Sequence, residues 1–348
     1  MPELPDVETF RLRFDAQALG RTIADAQILD DRLLDGVTSR RLSQALSHHR
    51  VASTGRHGKY LFAELDNGVS LVLHFGMTGD IERIEKGKDA PSYTVLHVVF
   101  DDGAAIAVTS QRKLGRIALA KDKSQFIKGQ NLGPDALDLT LDAEAFREAL
   151  GSPRGAVKSA LMDQTKLAGI GNIYSDEILF QAGIHPKMRV GELGGKKAAR
   201  LFETTHQVLE KAIESGVPTE GFEEKLPKTW LLLHREKGAK CPRCGGPVRA
   251  LKARRTHGLL LLILSAGLRP PNDKPPANLV SRHHGFTRRR RFCGGLSCRD
   301  GNGPRVMHWP RAQARYRRCR RRLRAPRAGT HLPPQSSVSG QVRLSSRR

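Results

Sequence analysis

Cysteine is scarce in this chain of 348 residues: there are five, and none precedes Cys241. A disulfide framework for the main body is therefore excluded. Long apolar runs are missing too. The longest strongly apolar stretch is Leu259–Leu264, whereas a bilayer-spanning helix needs about 20 such residues. The opening residues, MPELPDVE, are acidic and prolyl, unlike a secretory signal. Acidic residues nearly vanish after position 252: residues 253–348 hold 2 Asp+Glu against 23 Lys+Arg. The first 252 residues are almost balanced, with 33 acidic and 36 basic side chains. The formal net charge of +24 is thus mostly a property of the tail. It is not evidence that the main body binds nucleic acid. These features suggest a cytoplasmic protein with no membrane partner.

Residues 5–19 have helical apolar spacing at Val7, Phe10, Phe14 and Leu19. Short β-like runs follow at 60–65, 70–75, 93–100, 104–109 and 116–120, some separated by DNG and DDG turns. Strands at this spacing predict a β-sandwich or barrel. From about residue 142 the texture becomes helical, at 142–150, 156–163, 173–182 and 196–215. The expected class is α+β multidomain: an N-terminal helix with a β-sandwich, then a helical domain, then an abnormal finger region opened by Cys241 and Cys244. The expected boundaries are 1–125, 126–225, 226–252 and a basic, disordered tail at 253–348.

The N-terminus is itself a chemical group. A Met before Pro is normally removed, leaving Pro2 with a secondary amine. An α-amino group titrates at roughly 7.7–8.0, so a useful fraction is neutral near physiological pH. Attack of that amine on an aldehyde-like carbon gives an iminium, an electron sink suited to elimination. Glu3 adjoins it as a candidate general acid. Taken alone this is a weak signal, because Pro at position 2 is mundane and Pro2 and Pro5 can merely start a helix.

Longer motifs decide between the two. MPELPDVE is followed in order by RHGKYLF (56–62), LHFGMTG (73–79), QRKLGRI (111–117), KSALMDQTKLAGIGNIYSDEILFQAGIHP (158–186) and WLLLHREKGAKCPRCGGPV (230–248). Together they resemble the formamidopyrimidine-DNA glycosylase / endonuclease VIII family over about residues 1–252. The resemblance implies a helix–two-turn–helix domain at 126–225 and a base-excision-repair enzyme acting on damaged double-stranded DNA. It implies a monomer, associated with a bacterial nucleoid. It assigns Pro2 as the nucleophile at C1′, Glu3 as the proton donor and Lys59 as a phosphate contact that assists elimination. Asn172 would bind phosphate, with Arg154 and Lys158 as further phosphate contacts. Met77 would fill the void left by an extruded nucleotide, for which an unbranched thioether is suited. Arg112 and Leu114 would face the orphaned base. Leu114 replaces an aromatic usual in the family's 8-oxoguanine enzymes, and Asp6 stands where many members have Glu. His74 and His185 read as structural. The implied activity is glycosylase/AP lyase, with β,δ-elimination at the abasic site. Oxidised purines (8-oxoguanine, formamidopyrimidines) are the first substrate class, and oxidised pyrimidines the alternative. A catalytically weak DNA-binding protein is a further alternative.

That last alternative arises from the finger. The family's zinc finger has the pattern C-x2-C-x16-C-x2-C. Cys241 and Cys244 supply its first half, but Cys293, Cys298 and Cys319 are wrongly spaced for the second. The segment 253–267 (ARRTHGLLLLILSAG) can be encoded so that a one-base shift reads Gly-Gly-Arg-Thr-Ala-Tyr-Tyr-Cys-Ser-Ser-Cys. The recovered cysteines would fall at positions 261 and 264, which restores the family spacing. The expectation is therefore a C-terminus translated out of frame from about residue 253, with an incomplete zinc site. The competing reading of the tail is an arginine-rich nucleic-acid arm.

Overall fold

The computed structural model describes residues 1–216, 222–255 and 258–264. Helix α1 (Leu4–Ala18) starts where expected. Its entry is fixed by the Glu3 backbone N–H, which donates to Asp6 Oδ2 at 2.7 Å, and by Pro5 in the first turn. Strand β1 (Ile23–Ile28) and helix α2 (Ser39–Leu46) come next. Seven strands follow: β2 (Val51–His57), β3 (Tyr60–Leu65), β4 (Ser70–His74), β5 (Gly79–Ile84), β6 (Thr94–Phe100), β7 (Ala105–Ser110) and β8 (Arg116–Ala120). They form two four-stranded antiparallel sheets, ordered β1-β6-β7-β5 and β2-β3-β4-β8. The expected sandwich is present.

β1, β2, β5 and α2 were not expected from the sequence. β1 (IADAQI) and β2 (VASTGRH) carry too many polar residues for a clear alternation. Only tertiary pairing makes them strands. α2 buries just Leu42 and Leu46, one helical turn apart.

The second domain contains α3 (Lys123–Gly129), α4 (Ala143–Ala149), α5 (Val157–Met162), α6 (Asn172–Ala182), α7 (Gly195–Ser215) and α8 (Phe222–Lys225). Asp122 and Asp142 cap α3 and α4 through their side chains. Gly183 ends α6 in the left-handed conformation, with φ +67°.

Two apolar cores result, and α1 contributes to both. Val7, Phe10 and Phe14 pack into the sandwich core, while Leu4 packs into the helical core with Tyr174, Ile178 and Leu209. The chain's start is thereby held between the domains. A small third core joins Phe180 of α6 to Leu231, Cys241 and Val248.

One expectation needs correction here. The basic region was expected to be disordered from residue 253. Instead β9 (Arg249–Arg255) pairs antiparallel with β10 (Gly258–Leu264). A run of seven residues rich in Leu and Ile has enough strand propensity to pair. Residues 265–348 lie outside the described residues, and so does the expectation made for them. Among the described residues, no helix is long and apolar enough to cross a membrane.

Candidate active site and nucleic-acid interface

The site begins at Glu3. Its side chain is buried, and its carboxylate accepts backbone N–H bonds from Gly171 (2.6 Å), Ile173 (2.7 Å) and Tyr174 (3.2 Å). These donors open α6, where unpaired N–H groups and the helix dipole favour an anion. Gly171 is required there: a Cβ at this position would lie 2.4 Å from Glu3 Cδ. Gly169 adopts φ +117°, and its carbonyl accepts the Leu4 N–H at 2.9 Å. A side chain at 169 would strike Leu4. The GIG motif is thus a socket shaped around the first residues of the chain.

Lys59 lies in the same buried environment. Burial lowers its pKa, partly opposed by the charges of Glu3 and Asp6. Burial raises the pKa of Glu3, against the attraction of Lys59 and the three backbone N–H groups. Asp6 is pushed up to about 7, again chiefly by burial. Asp6 can therefore take up or release a proton near neutral pH. Pro2 is half-buried at its edge. The terminal ammonium is close enough to act on Asp6.

Lys59 is positioned from the second domain. Gly58 (φ +55°) allows the β2–β3 turn to approach Ala168, where a Cβ would come within 2.8 Å. The Gly58 N–H donates to Asp135 Oδ2 at 2.7 Å, and Asp135 also accepts the Leu137 N–H at 2.9 Å. Arg56 completes the clamp. Its guanidinium binds both oxygens of Asp135 and reaches Glu8 of α1. Arg56 and Asp135 were not singled out from the sequence. Arg56 sits inside the RHGKYLF motif, but its partner is 79 positions away.

Met77 lies on one loop, and Arg112 and Leu114 on another that touches it. Met77 and Leu114 are 40% and 51% exposed, unusual for apolar residues in tight loops. Gly76 brings the loops together: a Cβ there would lie 2.5 Å from the Leu114 backbone. The Arg112 N–H donates to Thr78 Oγ1 at 2.9 Å, and Arg112 itself is exposed. Arg154 is exposed in the turn before α5.

Lys158 requires a correction. The resemblance makes it a phosphate contact, but its side chain is fully buried. Its ammonium donates to Asp176 Oδ1 at 2.5 Å and to Asn172 Oδ1 at 2.8 Å. Asp176 Oδ2 in turn accepts from Arg235 at 2.7 Å. A lysine can only donate, so the Asn172 amide oxygen points inward and its NH2 group is left as the outward donor. Lys158 therefore orients the asparagine rather than facing DNA. His74 and His185 use Nδ1 to accept the N–H groups of Gly76 (3.3 Å) and Lys187 (3.2 Å). Burial lowers the His74 pKa to about 4, so this acceptor role persists at neutral pH.

Among the described residues, the finger region offers a zinc ion only the thiols of Cys241 and Cys244. Among the described residues, no group of three or more His, Cys, Asp or Glu side chains is placed to hold a metal. Leu261 and Leu264 occupy the second cysteine positions. Two thiolates alone cannot close a tetrahedral shell.

The architecture is a β-sandwich joined to a helical domain of the helix–two-turn–helix class, with the chain's start socketed between them. Residues 1–117 match the formamidopyrimidine-DNA glycosylase N-terminal domain, and residues 132–223 match the family's H2TH domain. The chain belongs to the formamidopyrimidine-DNA glycosylase family. It is 32% identical to the formamidopyrimidine-DNA glycosylase of Herpetosiphon aurantiacus, over 74% of this chain and 97% of the relative. It is 35% identical to that of Thermomicrobium roseum, over 70% and 92%. The Lactococcus lactis enzyme, solved non-covalently bound to DNA containing an abasic site, superposes with a TM-score of 0.65 at 26% identity, covering 75% of this chain and 97% of that one. The same enzyme in complex with FAPY-dG DNA gives 0.65 at 25% identity, covering 75% and 98%.

Proposed function

We propose that this protein is a bifunctional DNA glycosylase/AP lyase that removes oxidised purines from double-stranded DNA. The observation that carries this reading is the socket that holds the Glu3 carboxylate on three N–H groups of the GIG–α6 segment, with Lys59 in the same buried environment. It sets the chain's start beside an acid and an amine in a site from which water is largely excluded. The relatives' complexes with abasic-site and FAPY-dG DNA support the substrate class.

After removal of Met1, the Pro2 nitrogen attacks C1′ as the bond to the base breaks. The departing base takes a proton, for which Glu3 is the donor. The prolyl N–H proton passes to the ring oxygen, the sugar opens, and the nitrogen lone pair forms the iminium. Loss of a C2′ proton expels the 3′ phosphate, and loss of a C4′ proton expels the 5′ phosphate. Lys59 balances phosphate charge and assists these proton transfers. Met77 fills the gap left by the flipped nucleotide, and Arg112 and Leu114 face its former partner.

Borohydride trapping on an abasic duplex tests the reading. A covalent adduct should form and should be lost in Pro2→Gly. A chain that binds the duplex but never traps would be a DNA-binding protein without turnover. The incomplete finger favours that second reading. Excision assays on 8-oxoguanine, formamidopyrimidine and oxidised-pyrimidine duplexes separate the substrate classes.

A further inference from the structure

At one end of the β1-β6-β7-β5 sheet, three chain segments emerge side by side. β7 is central and ends at Ser110, and the 111–114 loop follows it. On one side Ser110 pairs with Gly79, the first residue of β5, just after Met77. On the other side Thr109 pairs with Thr94, the first residue of β6, just after Tyr93. The Ser110 N–H donates to the Tyr93 carbonyl at 2.9 Å. Adjacent strands lie about 4.8 Å apart. Tyr93 is thus a near neighbour of the face that carries Met77, Arg112 and Leu114.

Two properties set Tyr93 apart. It is 57% exposed, more than Met77 or Leu114. Its φ is +63°, rare for a bulky side chain. It sits third in a turn closed by hydrogen bonds from the Thr94 N–H (3.3 Å) and hydroxyl (2.6 Å) to the Pro91 carbonyl. A positive φ at that place is the usual province of Gly or Asn. The chain therefore holds a large aromatic ring in solvent, on a strained backbone, where a smaller residue would be more stable. Such strain is characteristic of functional positions. The 111–114 loop, Gln-Arg-Lys-Leu, has no aromatic of its own.

We propose that Tyr93 is a specificity-determining residue whose ring stacks on a base unstacked at the lesion. This rests on the glycosylase reading above and adds a contact to the same face. Every base has a π surface, so a ring at this position can engage the opened duplex without reading sequence. Aliphatic Met77 and Leu114 occupy the gap, and Tyr93 covers the exposed base plane beside it.

The test measures Kd at fixed salt for a duplex with one tetrahydrofuran abasic analogue and for the same duplex undamaged. Tyr93→Asn removes the ring but suits the positive φ, so its Tm should equal or exceed the wild type's. Its affinity for the tetrahydrofuran duplex should fall about 5- to 150-fold, the range that base–aromatic stacking converts to. Affinity for undamaged DNA should stay within about twofold. Tyr93→Phe should bind like wild type. The proposal is overturned if Tyr93→Asn keeps its affinity, or if both duplexes weaken equally. It is also overturned if Tyr93→Phe loses as much as Tyr93→Asn, because the hydroxyl would then carry the contact. A wild-type chain that does not prefer the tetrahydrofuran duplex would instead remove the glycosylase reading itself.

Discussion

Asp6 shows how one side chain serves both folding and chemistry. It caps α1 by accepting the Glu3 N–H, yet burial pushes its pKa from 3.8 up to about 7. A carboxyl with a raised folded pKa binds more protons in the folded state than in the unfolded one. Its contribution to stability is therefore present at low pH and declines as pH rises from about 4 to about 7. Glu177, pushed up to about 7 by burial, acts in the same direction. Asp6→Asn keeps an oxygen to accept the Glu3 N–H but cannot ionise. Thermal melts should show a smaller loss of Tm between pH 5 and pH 8 in this variant, and an unchanged slope would refute the assignment. Gly171→Ala probes the Glu3 socket, because the new Cβ would press on the carboxylate. A displacement of about 1 Å can cost on the order of 100-fold in rate, and borohydride trapping should slow by that order. Gly129→Ala, which meets nothing within 4 Å, is the control.

Among the elements, the β2–β3 turn and the start of the helical domain act as one unit. Arg56 is nearly inaccessible and holds Asp135 and Glu8 together. Arg56→Met would leave Asp135 buried without its charged partner, a loss typically of about 3–5 kcal/mol. Urea unfolding should show this. Arg56→Met combined with Asp135→Asn should lose less than the sum of the two single changes. This clamp was not legible in the sequence, because its members are close only after the sandwich and helical domain dock. Lys158 was misread for a related reason. A lysine in the first turn of a short helix is normally solvated, but here it lies over Asp176 and Asn172 of α6. The strands with mixed polarity, β1 and β2, were likewise invisible until their partners were known.

The whole molecule combines a family-like body with a C-terminal region that departs from it. Arg243 lies over the Phe180 ring at 4.4 Å and donates to the Phe180 carbonyl at 2.9 Å. With Leu231, Cys241 and Val248 packed around Phe180 of the same helix, these contacts tie the start of the finger region to α6 through side-chain packing. Chelator treatment of the purified chain should therefore leave its Tm unchanged. A clear drop would reveal a metal site that the described residues do not form. The basic excess beyond residue 252 should also steepen the salt dependence of DNA binding. Comparing the full chain with one ending at Leu264 should give a shallower slope of log K against log salt for the shorter chain.

In the sequence, apolar spacing laid out the helices from 142 to 215, while Pro2, Glu3, Lys59, Met77, Arg112 and Leu114 were marked only by ordered motifs that resemble a known family. Those features rest on residue type, spacing and glycine placement, which are properties of contiguous segments. Tertiary structure decided which charges are buried, which way Asn172 faces, what holds Lys59 in place and why Tyr93 stands exposed. These depend on desolvation and on partners brought from distant parts of the chain, and no local pattern encodes either.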